Sequence, residues 1–370
     1  MKKKLSKIIL EVAIAGSRRQ RKDGSMIPGK NGPWNDLDTP VRNTANWLKI
    51  FLYCYKNCKD AIFLESGKKC FNYLISEEAI PHQLAFYCRK NTNKNNSNGL
   101  IGQAWVIESL HESIDYFDKK KSIDLINKVA SAHEYDSEKH LWKEMMTDGS
   151  EKKICSTFNQ QLWFGITLFR ARKFLTKKNK KNIDDFLKNI KNTISTYESG
   201  MILHPIIFPN IKNAILKRVL KKIKIKFDKK IKSKKIIDLS IGYNLFNIYA
   251  LAMLKETGVN YIFLNSRMFK KILNYSLSEN FTIKLNKNIY SYQYNAPGFE
   301  IPIILNSFFN NKKKVIEISK PIIQRQFDLT FDEKNHKFSK NTCDPETLTA
   351  RLYELTRLPR EILNKIEINI

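Results

Sequence analysis

The chain has 370 residues, of which 42% are hydrophobic and 27% charged; this composition is that of a folded globular protein and excludes a disordered one. Lysine and arginine outnumber aspartate and glutamate 65 to 36, so the net charge is +29 at pH 7. No uninterrupted apolar stretch reaches the roughly 18–20 residues that span a bilayer. No shift in composition marks a domain boundary, and we expect one domain over residues 1–370.

The N-terminal 20 residues join a basic start to a short apolar stretch, a pattern that a signal peptide and an amphipathic helix share. The apolar stretch contains Glu11 and basic residues follow it, which favours a helix of the folded protein. We therefore expect a cytoplasmic protein whose six scattered cysteines stay reduced. No His or Cys pair has the spacing of a metal site, so the sequence predicts neither a metal nor a cofactor.

Six times along the chain, a helical pattern that is apolar on most faces follows a Gly, Pro, Asn or Asp cluster. A helix with this pattern is buried on nearly all sides. The six patterns begin at Asp38, Gly99, Ser156, Ser240, Asn295 and Asp344. More polar, lysine-rich amphipathic patterns alternate with them, over residues 5–15, 61–75, 121–133, 182–195, 266–277 and 314–324. Six inner and six outer helices predict an all-α closed double ring, an (α/α)6 toroid.

The alternative is an open superhelix of helix pairs. The buried patterns recur about every 50–60 residues, whereas tetratricopeptide and HEAT repeats have periods of about 34 to 47 residues. Long loops precede the inner helices on one side only, over residues 79–98, 135–155, 278–294 and 329–343. Three of the four alternate apolar and polar residues, which predicts short strands or hairpins on one rim. Both features favour the closed ring.

One stretch is much more basic than the rest of the chain. Residues 216–235 read LKRVLKKIKIKFDKKIKSKK and lie within an insertion, at about 200–238, between the third and fourth inner helices. The run fits a solvated helix, or a surface for an anionic membrane or a lipid-linked sugar. Aromatic residues are not interleaved with the run, and no nucleic-acid-binding module is visible, so we do not expect nucleic acid as a partner. Peripheral association with the inner membrane is therefore one hypothesis.

In a helical ring, the N-termini of the inner helices meet at one rim and present unpaired N–H groups with a partial positive charge. Such a rim suits polar, often anionic ligands. The acid or base candidates near it are Asp36, Asp38, Glu300 and Asp344, because paired carboxylates fit glycosyl chemistry. Asp38 and Asp344 also fit the N-cap position. Arg42 would pair either with a carboxylate of the ligand or with Asp38.

The remaining candidates are aromatic and amide side chains, which stack on or hydrogen-bond to hydroxyl-rich ligands. They are Trp34, Asn43, Gln103, Trp105, Asn159, Gln160, Trp163, Tyr243, Asn244 and Asn295, with Tyr294 and Arg351 in similar positions. Glu108 would be an acid or base if it faces the cleft, and an ion-pair partner otherwise. The loop histidines His82, His140 and His204 could reach over the cleft. A His beside a carboxylate would fit proton abstraction next to a carbonyl.

The segments DTPVRNTANW, GLIGQAWVIESL and STFNQQLWF resemble toroidal proteins encoded in surface-glycan and archaeal N-glycosylation clusters. Those proteins in turn resemble, in fold, unsaturated glucuronyl hydrolases, N-acylglucosamine 2-epimerases and heparinase-type lyases. The resemblance implies a six-hairpin ring that acts on a sugar such as a uronic acid. The glucuronyl hydrolases use an Asp as acid and base, which corresponds loosely to Asp36 or Asp38. The epimerases use a His pair across the cleft, and no inner-helix first turn contains a His here.

These observations predict a carbohydrate-processing enzyme of cell-surface polysaccharide or glycoconjugate biosynthesis. The first hypothesis is hydrolase- or lyase-type acid/base chemistry on an acidic sugar. The second is a sugar epimerase or isomerase, and the third is a toroid that binds a glycan or lipid carrier without catalysis. A helical scaffold for other proteins would instead have a shallow, apolar cleft.

Overall fold

Helices dominate residues 2–91, 93–207 and 233–370, the part of the chain that the computed structural model describes. The outer helices are α1 (Leu5–Arg18), α3 (Ala61–Leu74), α5 (Lys119–Ala132), α7 (Lys177–Thr193), α9 (Arg267–Ser276), α10 (Glu279–Asn286) and α12 (Lys312–Thr330). The inner helices are α2 (Val41–Cys58), α4 (Gly99–Ser113), α6 (Phe158–Arg170), α8 (Lys234–Lys255), α11 (Pro297–Phe308) and α13 (Pro345–Ala350). A 3-10 helix over Arg351–Arg357 continues α13, and α14 (Arg360–Lys365) follows it.

The inner elements form a closed ring. Helix α2 packs on α4, α4 on α6, α6 on α8 and α8 on α11; the 3-10 helix after α13 then packs on both α11 and α2. Strand β1 (Lys2–Lys4) pairs antiparallel with the last strand of the chain, Glu367–Asn369, and so joins the two ends of the chain. The predicted (α/α)6 toroid is confirmed.

Burial separates the two layers as the hydrophobic patterns predict. In α2, α4 and α8, nearly every residue of the central turns is buried, whereas the outer helices bury one stripe. Helix α8 with Glu256 is long and apolar enough to cross a membrane, but 83% of its apolar window is buried inside the protein. Its apolar composition is therefore explained by its place in the core of the ring.

The two layers also differ at their helix N-termini. Six outer helices begin with a side chain that accepts a backbone N–H of the first turn, namely Asp60, Asp118, Thr176, Ser266, Ser278 and Asn311. Within the described ranges, the N-cap residues of α2, α4, α6, α8 and α11 make no such side-chain bond. The inner helices therefore present positive helix ends to one rim of the ring.

Two of the four long loops contain the expected hairpins. Strands β2 (Tyr135–Asp136), β3 (Leu141–Glu144) and β4 (Lys153–Ile154) form a three-stranded sheet before α6. Strands β5 (Phe331–Asp332) and β6 (Lys337–Phe338) pair before α13, and Glu367–Asn369 is β7. The loop over 79–98 is irregular, and the loop over 278–294 contains α10. Buried Phe281 and Leu285, four residues apart, give that loop a helical period.

One shift from the predicted elements is at the start of α8. This helix begins at Lys234, six residues before Ser240, so residues 234–238 belong to an inner helix and not to the insertion. Most of the basic run 216–235 lies outside the described residues. The final inner element is an α-helix only to Ala350 and then tightens into the 3-10 helix. The single-domain assignment stays a prediction.

Candidate functional site

A cavity of ≈ 280 Å³ lies at the rim where the inner helices begin. Residues from all six inner elements or the loops that lead into them line it: Asn31, Trp34, Asp36, Arg42, Arg89, Lys94, Asn98, Ile101, Trp105, Thr157, Asn159, Gln160, His204, Tyr243, Phe246, Tyr294, Asn295 and Arg351. The ring therefore brings polar and aromatic side chains from distant parts of the chain into one site.

Arg42 is a fixed cation in this cavity. Its guanidinium carbon lies 4.2 Å from the centroid of the Trp105 ring, a cation–π contact. Its Nη1 donates to Asn31 Oδ1 at 3.1 Å and to the Tyr294 hydroxyl at 3.4 Å. The Tyr294 ring in turn lies against Gly32, where a Cβ atom would be 2.0 Å from the ring. These contacts hold the Arg42 guanidinium at the cavity wall.

Arg351 is a second fixed cation, held from below by two glutamates. Its Nη1 donates to Asn295 Oδ1 at 3.2 Å, and its Nη2 lies 2.6 Å from Glu300 Oε1 and 2.8 Å from Glu354 Oε1. Burial raises the pKa of Glu300 to about 8 and that of Glu354 to about 7, although the positive charge of Arg351 opposes both shifts. Burial therefore favours the protonated form of both carboxyls.

Asp38 lies buried behind the lining, close to Arg42. Its Oδ2 is 3.7 Å from Arg42 Nη1, and neither of its oxygens has a hydrogen-bond partner among the described residues. Burial raises the pKa of Asp38 to about 7, although Arg42 opposes the shift. The N-cap of α2 is Pro40, so Asp38 does not occupy that position.

Asp36, by contrast, is ion-paired at the cavity wall. Lys94 Nζ donates to both of its oxygens, at 2.6 and 2.8 Å, and Asn91 Nδ2 donates at 3.2 Å. Burial alone would raise the pKa of Asp36, but these hydrogen bonds and the nearby Arg89 lower it below its usual range. Asp36 is therefore ionised at neutral pH and is a poor general acid.

His204 and two aromatic residues form another wall. The His204 ring centroid is 4.9 Å from that of Tyr243, and the Tyr243 hydroxyl accepts a hydrogen bond from Trp34 Nε1 at 3.0 Å. Burial lowers the pKa of His204 to about 4, so the imidazole is neutral at pH 7 and can accept a proton. Burial also raises the pKa of Tyr243, which keeps its phenol protonated.

Below the cavity, Glu108 holds three cations on the ring axis. Its carboxylate lies 2.6 Å from Lys49 Nζ, 2.9 Å from Arg170 Nη1 and 2.8 Å from Arg357 Nη2. Glu112 shares Arg357 at 2.8 Å. Of the two interpretations of Glu108, the structure supports the ion-pair partner. This axial cluster (Lys49, Glu108, Glu112, Arg170 and Arg357) connects four inner elements electrostatically.

The sequence relationship agrees with this architecture. No protein-family model matches the chain. Over 363 residues it is 33% identical to archaeal glycosylation protein Q from Haloferax volcanii, and the match covers 96% of this chain and 97% of that protein. The chain belongs to the archaeal glycosylation protein Q family. The resemblance to archaeal glycosylation proteins that the three segments indicated is confirmed.

Solved structures similar to this member of the archaeal glycosylation protein Q family are toroidal sugar-active enzymes. Cellobiose 2-epimerase from Bacillus thermoamylovorans B4167 matches with a TM-score of 0.63 at 12% identity, covering 95% of this chain and 98% of that one. An unsaturated glucuronyl hydrolase specific for heparin matches with a TM-score of 0.55 at 10% identity, covering 95% and 96%. An α-1,6-mannanase from Salegentibacter sp. HEL1_6 has a TM-score of 0.54 at 9% identity, covering 95% and 98%. At these identities the likeness shows the fold alone.

Eight of the fifteen site residues proposed from the sequence line the cavity of this family member. They are Trp34, Asp36, Arg42, Trp105, Asn159, Gln160, Tyr243 and Asn295. The other seven lie outside the described lining: Asp38, Asn43, Gln103, Trp163, Asn244, Glu300 and Asp344. Their roles as site residues stay predictions, and the contacts below show what each does in the fold.

Most of these seven side chains tie loops to inner helices. Asp344 caps α13 and also accepts the backbone N–H groups of Lys30 and Gly32, at 2.9 and 2.8 Å. The Gln103 amide is hydrogen-bonded to the backbones of Phe86 and Ser97. The Asn43 amide donates to the Ile27 carbonyl, and the Asn244 amide accepts from the Ile202 N–H. Trp163 stacks on Phe246 at 4.4 Å, and Asp38 and Glu300 lie behind the two arginines.

Sequence patterns did not indicate seven of the lining residues: Asn31, Arg89, Lys94, Asn98, Ile101, Thr157 and Phe246. Most of them come from irregular loops, where no hydrophobic period marks which side chains face a cavity. The one local signal was the basic character of the loop over 79–98. That loop reaches the site because Arg89 forms an isolated β-bridge with Asp38.

The raised pKa of Glu300 predicts a pH effect on stability. Its folded-state pKa of about 8 exceeds the unfolded value of about 4.5, so the folded state binds more protons between these values. The stabilisation is complete below pH ~4.5 and is lost as pH rises through about 8. We therefore expect Glu300→Gln to flatten the fall in melting temperature between about pH 6 and 9. The control is Glu346→Gln, at a position where the side chain is 24% exposed. Equal slopes of melting temperature against pH for both variants and the wild type would contradict the assignment.

Proposed function

We propose that this protein processes an acidic sugar in a glycosylation pathway, by abstracting the proton from the carbon next to the sugar carboxylate. The name of the Haloferax relative and the sugar-active enzymes among the similar structures support carbohydrate processing. The proposal includes placement in the cytoplasm, with residues 216–235 in contact with the membrane surface.

The observation on which the proposal depends is the charge of the cavity. Its described lining contains four cations, Arg42, Arg89, Lys94 and Arg351, against one carboxylate, Asp36. With His204 neutral, four positive charges and one negative give a net charge of +3. Burial raises the pKa of the carboxyls behind the lining, Asp38, Glu300 and Glu354, which weakens their neutralisation of the two arginines. A low-dielectric site of this charge favours an anionic ligand.

The rest of the lining suits a sugar ring. Trp34 is half-buried and has an aromatic face for the C–H face of a pyranose. The amide oxygen of Asn159 is buried without a hydrogen-bond partner among the described residues, so it can accept a bond from a sugar hydroxyl. A volume of ≈ 280 Å³ is near the lower end of the range for small-molecule sites, which fits one or two sugar rings.

His204 is the group that can act as base. It would take the proton from the carbon next to the carboxylate, and the electron pair would move into the carboxylate to form an enediolate. Arg42 and Arg351 are fixed where they can stabilise that negative charge. Return of a proton from solvent to the opposite face inverts the carbon. Departure of the substituent on the next ring carbon, whose oxygen takes a proton from the His204 imidazolium or from water, gives an unsaturated sugar instead. The substrate carboxylate would raise the pKa of His204 by favouring the imidazolium.

Hydrolysis by two carboxylates has less support. It requires one protonated and one ionised carboxyl on either side of the glycosidic bond. Among the described lining residues the carboxylate is Asp36, and Lys94 keeps it ionised. Asp38, Glu300 and Asp344 all lie outside that lining.

The experiment uses D2O and matched sugars. The protein is incubated with methyl glycosides of uronic acids and with the corresponding neutral hexosides, and products are followed by mass spectrometry and NMR. We expect one deuterium on the carbon next to the carboxylate, or a new conjugated double bond, in the acidic sugar only. Glycoside cleavage without deuterium would favour a hydrolase, and binding without chemical change would favour the non-catalytic hypothesis; either result overturns the proposal.

A further inference from the structure

A second cavity adjoins the first at the rim between α4 and α6. It has a volume of ≈ 370 Å³ and shares Arg89, Lys94, Asn98, Thr157 and Gln160 with the first cavity. Because five residues line both cavities, one extended ligand can reach from the first into the second. Nothing in the proposed reaction uses this second space.

Gly99 helps to define the place where the cavities meet. Its φ of +63° is in the left-handed region, which favours glycine. A Cβ atom there would be 2.3 Å from Gln160 Oε1 and 2.6 Å from Glu144 Oε2. The absence of a side chain lets both polar groups approach the backbone, so Gln160 can line both spaces.

The charge of the second cavity is also positive. Arg89, Lys94 and Lys153 line it against one described carboxylate, Glu144. Lys94 and Arg89 also contact Asp36 of the first cavity, so three positive and two negative charges leave a net charge of +1. Glu144 and Lys153 face each other across β3 and β4, with 3.8 Å between Oε1 and Nζ. Arg89 Nε is buried 3.8 Å from Asp36 Oδ2 and makes no hydrogen bond among the described residues. The cavity therefore keeps an excess of positive charge after both Asp36 and Glu144 are counted.

We propose that this second cavity binds a second anionic group, a phosphoryl or carboxylate group attached to the same sugar substrate. The substrate would then place one carboxylate beside Arg42 and Arg351 and the second anion beside Arg89, Lys94 and Lys153. This inference rests on the proposed function, because it assigns the first cavity to the acidic sugar. It identifies the substrate class as a sugar with two anionic groups.

The test compares two neighbouring lysines. Lys153 lines the cavity and its side chain is 60% exposed, so Lys153→Ala should fold. The matched control is Lys152→Ala, because Lys152 pairs with Glu134 at 2.8 Å and lies outside the cavity lining. Both variants remove one positive charge from adjacent positions. Calorimetry measures the dissociation constants of a uronic acid methyl glycoside, a uronic acid 1-phosphate and a disaccharide of two uronic acids.

For Lys153→Ala, we expect about five- to tenfold weaker binding of a probe with two anionic groups. Binding of the one-anion probe should change less than about twofold, as should all binding to Lys152→Ala. If the dissociation constant of the uronic acid 1-phosphate rises more than that of the disaccharide, the cavity binds a phosphoryl group; the reverse indicates a carboxylate. Equal effects of the two variants on every probe would overturn the proposal.

A last arm separates this inference from the proposed function. Inorganic phosphate probes the second cavity without any sugar. Weaker phosphate binding to Lys153→Ala than to Lys152→Ala supports the anion site even if no uronic acid is processed. If no deuterium is incorporated but phosphate still binds more weakly to Lys153→Ala than to Lys152→Ala, only the proposed function is contradicted.

Discussion

Replacement of Glu108 by alanine is expected to destabilise the protein by about 3–5 kcal/mol. The side chain is 1% exposed and neutralises Lys49, Arg170 and Arg357, all within 3 Å of its carboxylate. Removing it leaves buried cations unpaired, which costs far more than the loss of a surface ion pair. Of the three cations, Arg170 should contribute least to this loss, because its side chain is 21% exposed and water can solvate it. Urea denaturation measures the difference in unfolding free energy.

Two further variants identify the cause. Glu134→Ala removes a carboxylate with two lysine partners, at 2.9 and 2.8 Å, but at an exposed position, and should change stability little. The double variant Lys49→Met/Glu108→Leu removes one charge of each sign and should recover part of the loss. If Glu108→Ala and Glu134→Ala lower the free energy of unfolding by similar amounts, burial is not the cause of the Glu108 effect.

Glu108 and Glu300 predict opposite pH dependences. Burial would raise the pKa of Glu108, but Arg357, Lys49 and Arg170 together lower it to about 2. Its stabilisation is therefore present above the unfolded pKa of about 4.5 and is lost as pH falls from there through about 2. The stabilisation from Glu300 is lost as pH rises through about 8. The two effects together favour maximal stability between these limits.

The toroid could be predicted because helix periodicity is local. A 3.6-residue apolar period identifies each helix and its buried face without knowledge of its partners. Ser266 and Ser278, which cap α9 and α10, mark helix starts in the same local way. The prediction was wrong for α10, where alternating apolar and polar residues predicted a short strand or hairpin. The same residues fit a short helix that buries Phe281 and Leu285.

The cavity walls could be predicted only in part, because depth along a helix and loop contacts are not local properties. Asn295 lies at the rim just before α11, whereas Glu300 is three residues after Pro297 in that helix, or about 4.5 Å further along its axis at 1.5 Å per residue. That displacement places Glu300 behind Arg351 and out of the described lining. The Lys94 contact with Asp36 joins loops 58 residues apart, which no periodic pattern encodes.

His204→Gln is expected to lower the turnover of an acidic sugar by about 10²–10⁴-fold, because it removes the proposed general base. Deuterium incorporation should fall by the same factor. The KM should change little, since burial keeps the free imidazole neutral and it makes no ion pair with the substrate before proton transfer. Single-turnover rates and the pH dependence of kcat measure the effect.

A structural role for His204 can be distinguished from this catalytic one. The contacts that its backbone makes, an N–H bond to Ser240 Oγ at 3.1 Å and a carbonyl bond from Phe158 N at 3.1 Å, survive the substitution. The melting temperature of His204→Gln should therefore stay near that of the wild type, and added imidazole should restore part of the rate. His82→Gln, at an exposed loop position outside the lining, is the matched control and should retain full activity. Full deuterium exchange by His204→Gln would show that another group removes the proton, because the neutral amide of glutamine cannot act as a base in this step.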